Sequence, residues 1–421
     1  MLFQIIKKFS FFNDHKKIPS LFLYMLPVAL VTGPFLSDLL LSLIGLYFLI
    51  ISIKYKEWLY YKNPFVYLFS AFYFYLIIRS FFSQDIYYSL QGCLFYFRYL
   101  FFSLAVFYLA KNVKNLARNL GLSIFITLIV VSLDAYYQWI FGENIFGWTS
   151  YQRGRLSGFF RDELIIGGYL ARLTPLCLGL LIYFYEIDKK KLMIGILFLI
   201  FIDVIIFGSG ERAAFFFITL FSILIVILSN NYKIYRLMTF GISSIIIVLV
   251  TLYVPDSNYK VQETLNQVST NNLTPLAPYS PLHEEHYIVG LKMFVDNPLF
   301  GQAPNMFDIL CQEEKYYYSV EGCTSHPHNS YIQLLAETGL IGAIFLAFAF
   351  LFVTFLLFKQ FLSILGLTKF KMPDYVIFFV VGLFVMTWPL IPTGSFFNNW
   401  TNVMYYFPVG FVLNYFYKTK V

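Results

Sequence analysis

Thr324-Ser325-His326-Pro327-His328-Asn329-Ser330 places two imidazoles directly before a long apolar run. Four of the five histidines, His283, His286, His326 and His328, fall in this one stretch of the chain, and only His15 lies elsewhere. Ser330 and Gln333 fit a capping box, which puts His328 at or just before a helix start. The positive end of a helix dipole disfavours imidazolium, so His328 is expected to be neutral and able to accept a proton. A histidine that merely caps or snorkels is the competing reading. Clustered histidines also raise a zinc site. The His283-Glu284-Glu285-His286 run, however, spaces its histidines three apart rather than the four of the zinc-protease helix, and no metal site is assigned.

Two other segments collect cations. Tyr151 to Arg161 holds Arg153, Arg155 and Arg161 beside Gly154 and Gly158, a candidate oxyanion clamp in which guanidinium binds phosphate bidentately and glycine admits the backbone closely. Pairing with Asp162, Glu163 and lipid head groups would use the same residues. Gly208-Ser209-Gly210-Glu211-Arg212 sets Arg212 among the free amides of a helix start, again favourable for an anion, with Arg212 paired only to Glu211 as the alternative. Arg98 and Arg172 lie within apolar runs at a depth similar to Asp134 and Asp203. Buried charges in lipid are costly, so these four are expected to face one another or a wet cavity, with Glu337 able to join them. A purely structural ion-pair network and a ligand contact both satisfy that expectation.

The elements that carry these residues follow from composition. The chain has 421 residues, 59% of them AVILMFWYC, 21% aromatic and only 13% charged, and its mean hydropathy is +0.69. A soluble domain carries roughly a quarter charged residues. An all-α polytopic membrane protein is expected, and disorder, nucleic-acid binding and a disulfide-stapled miniprotein are excluded. Apolar runs give about twelve spans: 19–34, 36–53, 64–82, 90–110, 119–141, 164–186, 191–208, 212–229, 236–254, 329–358, 374–391 and 397–417. Lys7, Lys8, Lys16 and Lys17 precede the first. Every second connection after it is basic, and these positions hold 20 of the 30 Lys and Arg, Arg236 and Lys420 among them. Both termini are therefore expected in the cytoplasm, and the formal charge of +7 reads as topology. The N-terminal segment runs straight into a second span with no small-x-small cleavage site, so it is expected to stay on as the first helix. The whole of 1–421 reads as one transmembrane domain.

The long polar insertion, 255–328, follows the ninth span and so faces outward. Ser280 suits an N-cap, Pro281 the first helical position, and Glu284 and Glu285 the positive end of the dipole, while Asn297-Pro298 stops the helix. His283, Tyr287, Gly290 and Phe294 share one stripe, and Leu291, Met293 and Val295 supply apolar contact with membrane or bundle, so a lid helix over the bundle is the simplest reading. Cys311 and Cys323 lie in this insertion, where an oxidising periplasm permits a bridge. Two free thiols are the alternative. Cys93 and Cys177 read as packing residues inside spans.

At these motifs the chain resembles the O-antigen ligase and O-antigen polymerase superfamily of bacterial inner-membrane glycosyltransferases. That family's His-Asn, nine residues, Gly-x-x-Gly pattern is matched by His328, Asn329, Ser330 to Thr338, Gly339 and Gly342. Pro298-Leu299-Phe300-Gly301 resembles its Pro-Leu-Phe-Gly element and Arg155-Leu156-Ser157-Gly158 its Arg-x-x-Gly element, while Arg212 stands where these proteins carry an arginine opening a helix. The motifs cover about 150 to 345. The resemblance implies a helical bundle in the inner membrane that needs no metal, nucleotide sugar or other cofactor. Its donor would be a glycan on undecaprenyl diphosphate, presented on the periplasmic side, and its acceptor lipid A-core or another glycan. Arg155 and Arg212, with Arg153 and Arg161 nearby, would hold the leaving diphosphate. His328 would act as or position the base, and His283, His286, His326, Asn329, Arg98, Arg172 and Glu337 would support substrate or structure. Family ligases often carry an arginine about fifteen residues before the Pro-Leu-Phe-Gly element, and here that position is His283.

Ligation to lipid A-core is the expected reaction, and polymerisation of repeat units the alternative, since both branches carry the histidine motif. A transporter or flippase is the reading from another class, suited by the many spans and intramembrane charges. The sequence has no inverted repeat or matched broken spans to support it.

Overall fold

The computed structural model describes residues 15–185, 189–270 and 280–419, without the side chains of 268–270. Lys7, Lys8 and Lys420 of the basic pattern and 271–279 of the insertion lie outside the described residues. The described chain is all-α, with no strand and one isolated bridge between Glu143 and Thr149. Its helices are α1 (Lys17–Thr32), α2 (Pro34–Lys54), α3 (Pro64–Ser80), α4 (Ile86–Cys93), α5 (Phe97–Asn112), α6 (Leu116–Phe141), α7 (Ile166–Phe184) and α8 (Lys189–Gly208). After them come α9 (Arg212–Leu228), α10 (Lys233–Tyr253), α11 (Pro255–Thr270), α12 (Pro281–Asp296), the one-turn α13 (Phe307–Leu310), α14 (Ser330–Ile364), α15 (Asp374–Met386) and α16 (Asn399–Thr419).

Every apolar run of the sequence carries a helix. The fourth run is divided into α4 and α5 by a turn in which the Tyr96 amide donates to Cys93 O at 3.0 Å. Counting α4 and α5 as one, seven helices among the described residues are long and apolar enough to cross a bilayer: α2, α4 with α5, α6, α7, α8, α10 and α14. Four more apolar helices, α1, α3, α9 and α15, are shorter. The chain is thus a polytopic helical membrane protein. Its main core is one continuous apolar cluster in which α5 packs against α2 and α16, and α7 against α6 and α15.

The intramembrane charges do not all face one another: Arg172 lines a large cavity, and the others find separate partners. Arg98 pairs with Asp38 at 3.1 Å and donates to Asn399 Oδ1 at 2.5 Å. Asp203 pairs with Arg236 at 2.8 Å, both side chains almost wholly buried, and Ser243 donates to the same carboxylate at 3.0 Å. Arg236, expected in a basic connection, is therefore an internal counter-ion in the first turn of α10. Asp134 accepts from the Ile145 amide at 3.1 Å, and Glu337 accepts from the Phe307 amide at 3.1 Å. Each acid thus has a local donor, because an unpaired charge in this interior is costly.

The insertion has a core of its own, including Val289, Met293, Met306, Phe307, Leu310, Tyr316 and Ala336, and the Cys311–Cys323 disulfide ties it together. Met293 faces this core, not lipid, and Val295 is exposed, so the apolar side of α12 differs from the expected one. The helix α11 breaks the expected loop at its start.

The insertion is anchored through a break in α14. Gly339 has φ 63° and ψ −167°, which no continuous helix allows. The turn Pro298 to Ala303 fills the gap. Gln302 and Ala303 donate to Ala336 O and Glu337 O at 2.9 and 2.7 Å, while Leu340 and Ile341 donate back to Pro298 O and Leu299 O at 2.9 and 3.3 Å. A Cβ on Gly339 would lie 2.4 Å from Leu299 C, and one on Gly301, at φ +64°, would lie 2.5 Å from Glu337 C. Arg79 fixes the turn from α3, donating to Phe300 O at 2.9 Å and Gly301 O at 2.6 Å. Tyr75 donates to Thr338 O at 2.6 Å. Glycine is required at 339 twice over, for its dihedral and for its missing side chain. Replacing Gly339 with Ala should therefore cost on the order of 2–4 kcal/mol. Thermal unfolding of the purified protein in detergent checks this, and an unchanged melting temperature would contradict it.

Candidate functional site

A cavity of about 1980 Å³ opens where α7, α9 and α16 begin and α8 and α15 end. It exceeds the roughly 300–1,000 Å³ of common small-ligand pockets and suits a large, extended ligand. Its lining is largely apolar and aromatic, including Phe159, Phe216, Trp148, Trp388 and Trp400, with charged and polar side chains set among them.

The cations come from two turns that lock together. The Leu156 amide donates to Ser209 O at 3.2 Å, and Gly210, at φ +70°, lies so close to Gly154 O that a Cβ would sit 2.1 Å from it. Arg155 lines the cavity and donates through Nη2 to Leu164 O at 2.8 Å, while its buried Nε has no partner. Arg172, nearly two helical turns into α7, donates to Gly168 O at 3.1 Å and lies over Phe217 at 4.9 Å, and its Nε is likewise unpartnered. Arg212 donates to Gln267 Oε1 at 2.6 Å and pairs with Glu263 at 3.6 Å, both on α11. Arg161 stacks over Trp148 at 4.6 Å.

Glu211 is not the partner of Arg212. Its carboxylate accepts from the Gly167 and Gly168 amides at 2.6 and 3.1 Å, capping α7. Burial pushes its pKa up to about 7, against the lowering pull of Arg155, the two amides and Arg172.

Three histidines, His283, His326 and His328, line the same cavity. Asn329 is the N-cap of α14, its Oδ1 accepting from the Tyr331 and Ile332 amides at 2.9 and 3.1 Å, so His328 immediately precedes the cap. The expected capping box is absent. Ser330 is already helical and shares a hydrogen bond with Thr393 at 2.9 Å, while Gln333 donates to Glu337 and Ser395 at 3.2 and 3.1 Å. His328 adopts φ 51°, a left-handed conformation that histidine tolerates better than most residues. Its carbonyl accepts from the Thr393 amide at 2.8 Å, and Asn329 Nδ2 donates to Pro389 O at 2.8 Å. The segment between α15 and α16 thus clamps the backbone that carries the imidazole.

Around the His328 ring lie His326, His286 and His283, with ring centroids 4.1, 5.1 and 5.4 Å away. No hydrogen bond from a described residue engages the His328 ring. His283 Nδ1 meets Ser280 Oγ at 2.6 Å, and His286 Nε2 donates to Glu321 O at 2.9 Å. Burial first, then the three neighbouring imidazoles, lowers the His328 pKa to about 3. His326 and His283 are lowered to about 4, chiefly by burial, and the charge of Arg212 contributes at His283. Neutrality of His328 therefore has a different main cause from the helix dipole expected. Among the described residues, no three His, Cys, Asp or Glu side chains are arranged to hold a metal ion.

Arg155, Arg161, Arg172, Arg212, His283, His326 and His328 thus line one cavity. Others stand elsewhere. Arg153 pairs with Asp256 at 2.9 Å on the surface, Arg98 belongs to the Asp38 pair, His286 is buried behind His328, and Glu337 is buried beneath the insertion. Sequence reasoning missed Lys260, Glu263 and Gln267 of α11, and the 387–398 segment with Trp388 and Thr393, all lining the cavity. The Lys260-Glu263-Gln267 spacing on one helical face was the available signal for the former.

Residues 195–347 match the family model described as O-Antigen ligase. No curated protein matches the chain.

Because the lowered pKa favours the uncharged ring, His328 should remain neutral as pH falls from 7 to 5. Histidine-labelled protein followed by nitrogen NMR checks this in the free state, and a titration near the ordinary 6.5 would contradict it.

Proposed function

The chain belongs to the O-antigen ligase/polymerase superfamily, and we propose that it transfers a glycan from undecaprenyl diphosphate to a sugar hydroxyl of lipid A-core at the periplasmic face of the inner membrane. The observation that supports this reading is one large cavity lined both by the guanidinium groups of Arg155, Arg172 and Arg212 and by an imidazole, His328, whose lowered pKa favours the neutral form. Departure of a lipid diphosphate develops negative charge, which Arg155, Arg172 and Arg212 would stabilise. The orphaned Nε donors of Arg155 and Arg172 supply hydrogen-bonding capacity that the protein itself leaves unused. Attack by an acceptor hydroxyl benefits from proton removal, and the uncharged His328 is the group placed to take that proton. The aromatic lining, with Trp148, Trp388 and Trp400, would cover sugar faces and the first isoprene units.

Topology enters the same proposal. The basic connections lie at the end of the helices away from the histidines, so the positive-inside rule puts the cavity outside and the termini in the cytoplasm.

Purified protein in liposomes, given a lipid-diphosphate-linked glycan and lipid A-core, should release undecaprenyl diphosphate and form the glycan–core product. Single repeats joined on the lipid carrier would instead mark a polymerase, and uptake without bond transfer a transporter. His328→Ala should lower turnover by about 10²–10⁴-fold, far more than the small loss of melting temperature expected for alanine at a left-handed position. Arg155→Lys and Arg212→Lys should each cost about tenfold or more, because a point charge cannot reproduce the guanidinium fork. Near-normal turnover in the histidine variant would remove His328 from the chemistry.

A further inference from the structure

A second cavity, of about 160 Å³, lies at the other end of the bundle. Two helices fix its place. The histidine cavity takes Gly168 and Arg172 from the start of α7 and Trp388 just beyond α15, whereas this one takes Leu180 and Tyr183 from the end of α7 and Tyr375 from the start of α15. The two cavities therefore lie at opposite ends of α7, whose full 19 residues span about 28 Å, close to the ~30 Å hydrocarbon core.

Three lysines line it: Lys111 at the end of α5, Lys114 in the next turn and Lys418 in the last turn of α16. No carboxylate among the described residues lines the cavity or pairs with these lysines. Lys111 lies over the Tyr417 ring at 4.0 Å, and Lys418 Nζ donates to Tyr183 OH at 3.3 Å. Between them is Asn414, only 7% exposed, whose Oδ1 is buried without a donor. An unsatisfied buried amide costs free energy that a ligand donor would recover. The remaining walls, Leu180, Phe379 and Phe411, are apolar.

We propose that this cavity binds the phosphate-bearing, hydroxylated head group of an anionic lipid such as phosphatidylglycerol, with the lysines on the phosphodiester and Asn414 on a head-group hydroxyl. The cationic rim matches the phosphate, and the orphaned amide matches a hydroxyl donor. The apolar walls, set at the edge of the bilayer-spanning length, distinguish a lipid from a free phosphate. The site is independent of the transfer chemistry at the opposite end.

The test uses the full chain in a non-ionic detergent. Phosphatidylglycerol should bind, measured by native mass spectrometry, and raise the melting temperature, whereas phosphatidylcholine and millimolar inorganic phosphate should do neither. Each lysine removed should weaken binding about fivefold, so Lys111→Gln with Lys418→Gln should weaken it about 25-fold. Asn414→Leu should melt no lower than the parent without lipid, since it removes an unsatisfied group, yet lose most of the lipid-induced shift. This variant decides the matter if the double lysine variant does not purify. Equal binding of phosphatidylcholine, displacement of the lipid by inorganic phosphate, or unchanged lipid binding in the variants would each overturn the proposal.

Discussion

The site depends on the way a surface turn completes a broken helix. At Gly339 the α14 ladder is interrupted, and the backbone groups on either side are satisfied by Pro298 to Ala303 in place of the next turn. Buried backbone groups cannot be left unpaired in a membrane protein's interior. The docking is consequently rigid, with two glycines making the backbone approach possible and Arg79 and Tyr75 bonding the carbonyls on the far side. From this joint α12 runs back along the first turns of α14, carrying His283 and His286 to His328. The Pro-Leu-Phe-Gly turn and the Gly-x-x-Gly pattern are thus two halves of one contact, and His-Asn lies at the end of the helix segment that this contact orients.

Electrostatics divides the cavity. Five cations line it, Arg155, Arg161, Arg172, Arg212 and Lys260, against the acids Asp162, Glu163, Glu211 and Glu263. Such near balance keeps the empty cavity from accumulating repulsion between guanidinium groups. The acids are not equivalent, though. Glu211 is spent on the amides of α7, whereas Glu263 holds Arg212 from the neighbouring α11 at 3.6 Å, a longer contact than its 2.5 Å pair with Lys260. A doubly ionised phosphate group competes well for the Arg212 charge against a carboxylate that Lys260 already engages closely.

Much of the helix layout was legible because lipid imposes a single strong rule: a span must be apolar for its full length. Where other rules compete, the sequence was less informative. The helix α11 carries Asp256, Lys260, Glu263 and Gln267 and no apolar run, so hydropathy made it part of a loop. Ser330 and Gln333 have the spacing of a capping box, yet Asn329 is the better-placed acceptor, and Gln333 is drawn to Glu337, Ser395 and the Phe396 amide from a segment about sixty residues on. Depth along a helix is readable from sequence, but azimuth is not. That is why the pairing of Arg98 with Asp38 and of Asp203 with Arg236 could not be read from the sequence. The site residues were legible as types, arginines beside glycines and histidines before a helix. Their convergence depended on contacts such as Gly154 with Gly210 and His328 with Thr393, which no local pattern records.

The same contacts explain why the imidazole is uncharged without a helix dipole needing to hold it so. Four histidine rings packed in a partly enclosed space cannot all ionise, because each proton would repel the next and lose water besides. His286 spends its Nε2 on Glu321 O and His283 its Nδ1 on Ser280, which fixes their orientation and leaves His328 the ring free of protein hydrogen bonds among the described residues. A proton taken from a hydroxyl by His328 would arrive in a cluster that disfavours it, so it would be held only while a compensating anion, the departing diphosphate, is in the cavity. On the proposed reading, coupling a base to a leaving group through their shared field would need no movement of either. It requires only that the cations and the imidazole face the same enclosed volume, as Arg155, Arg172, Arg212 and His328 do.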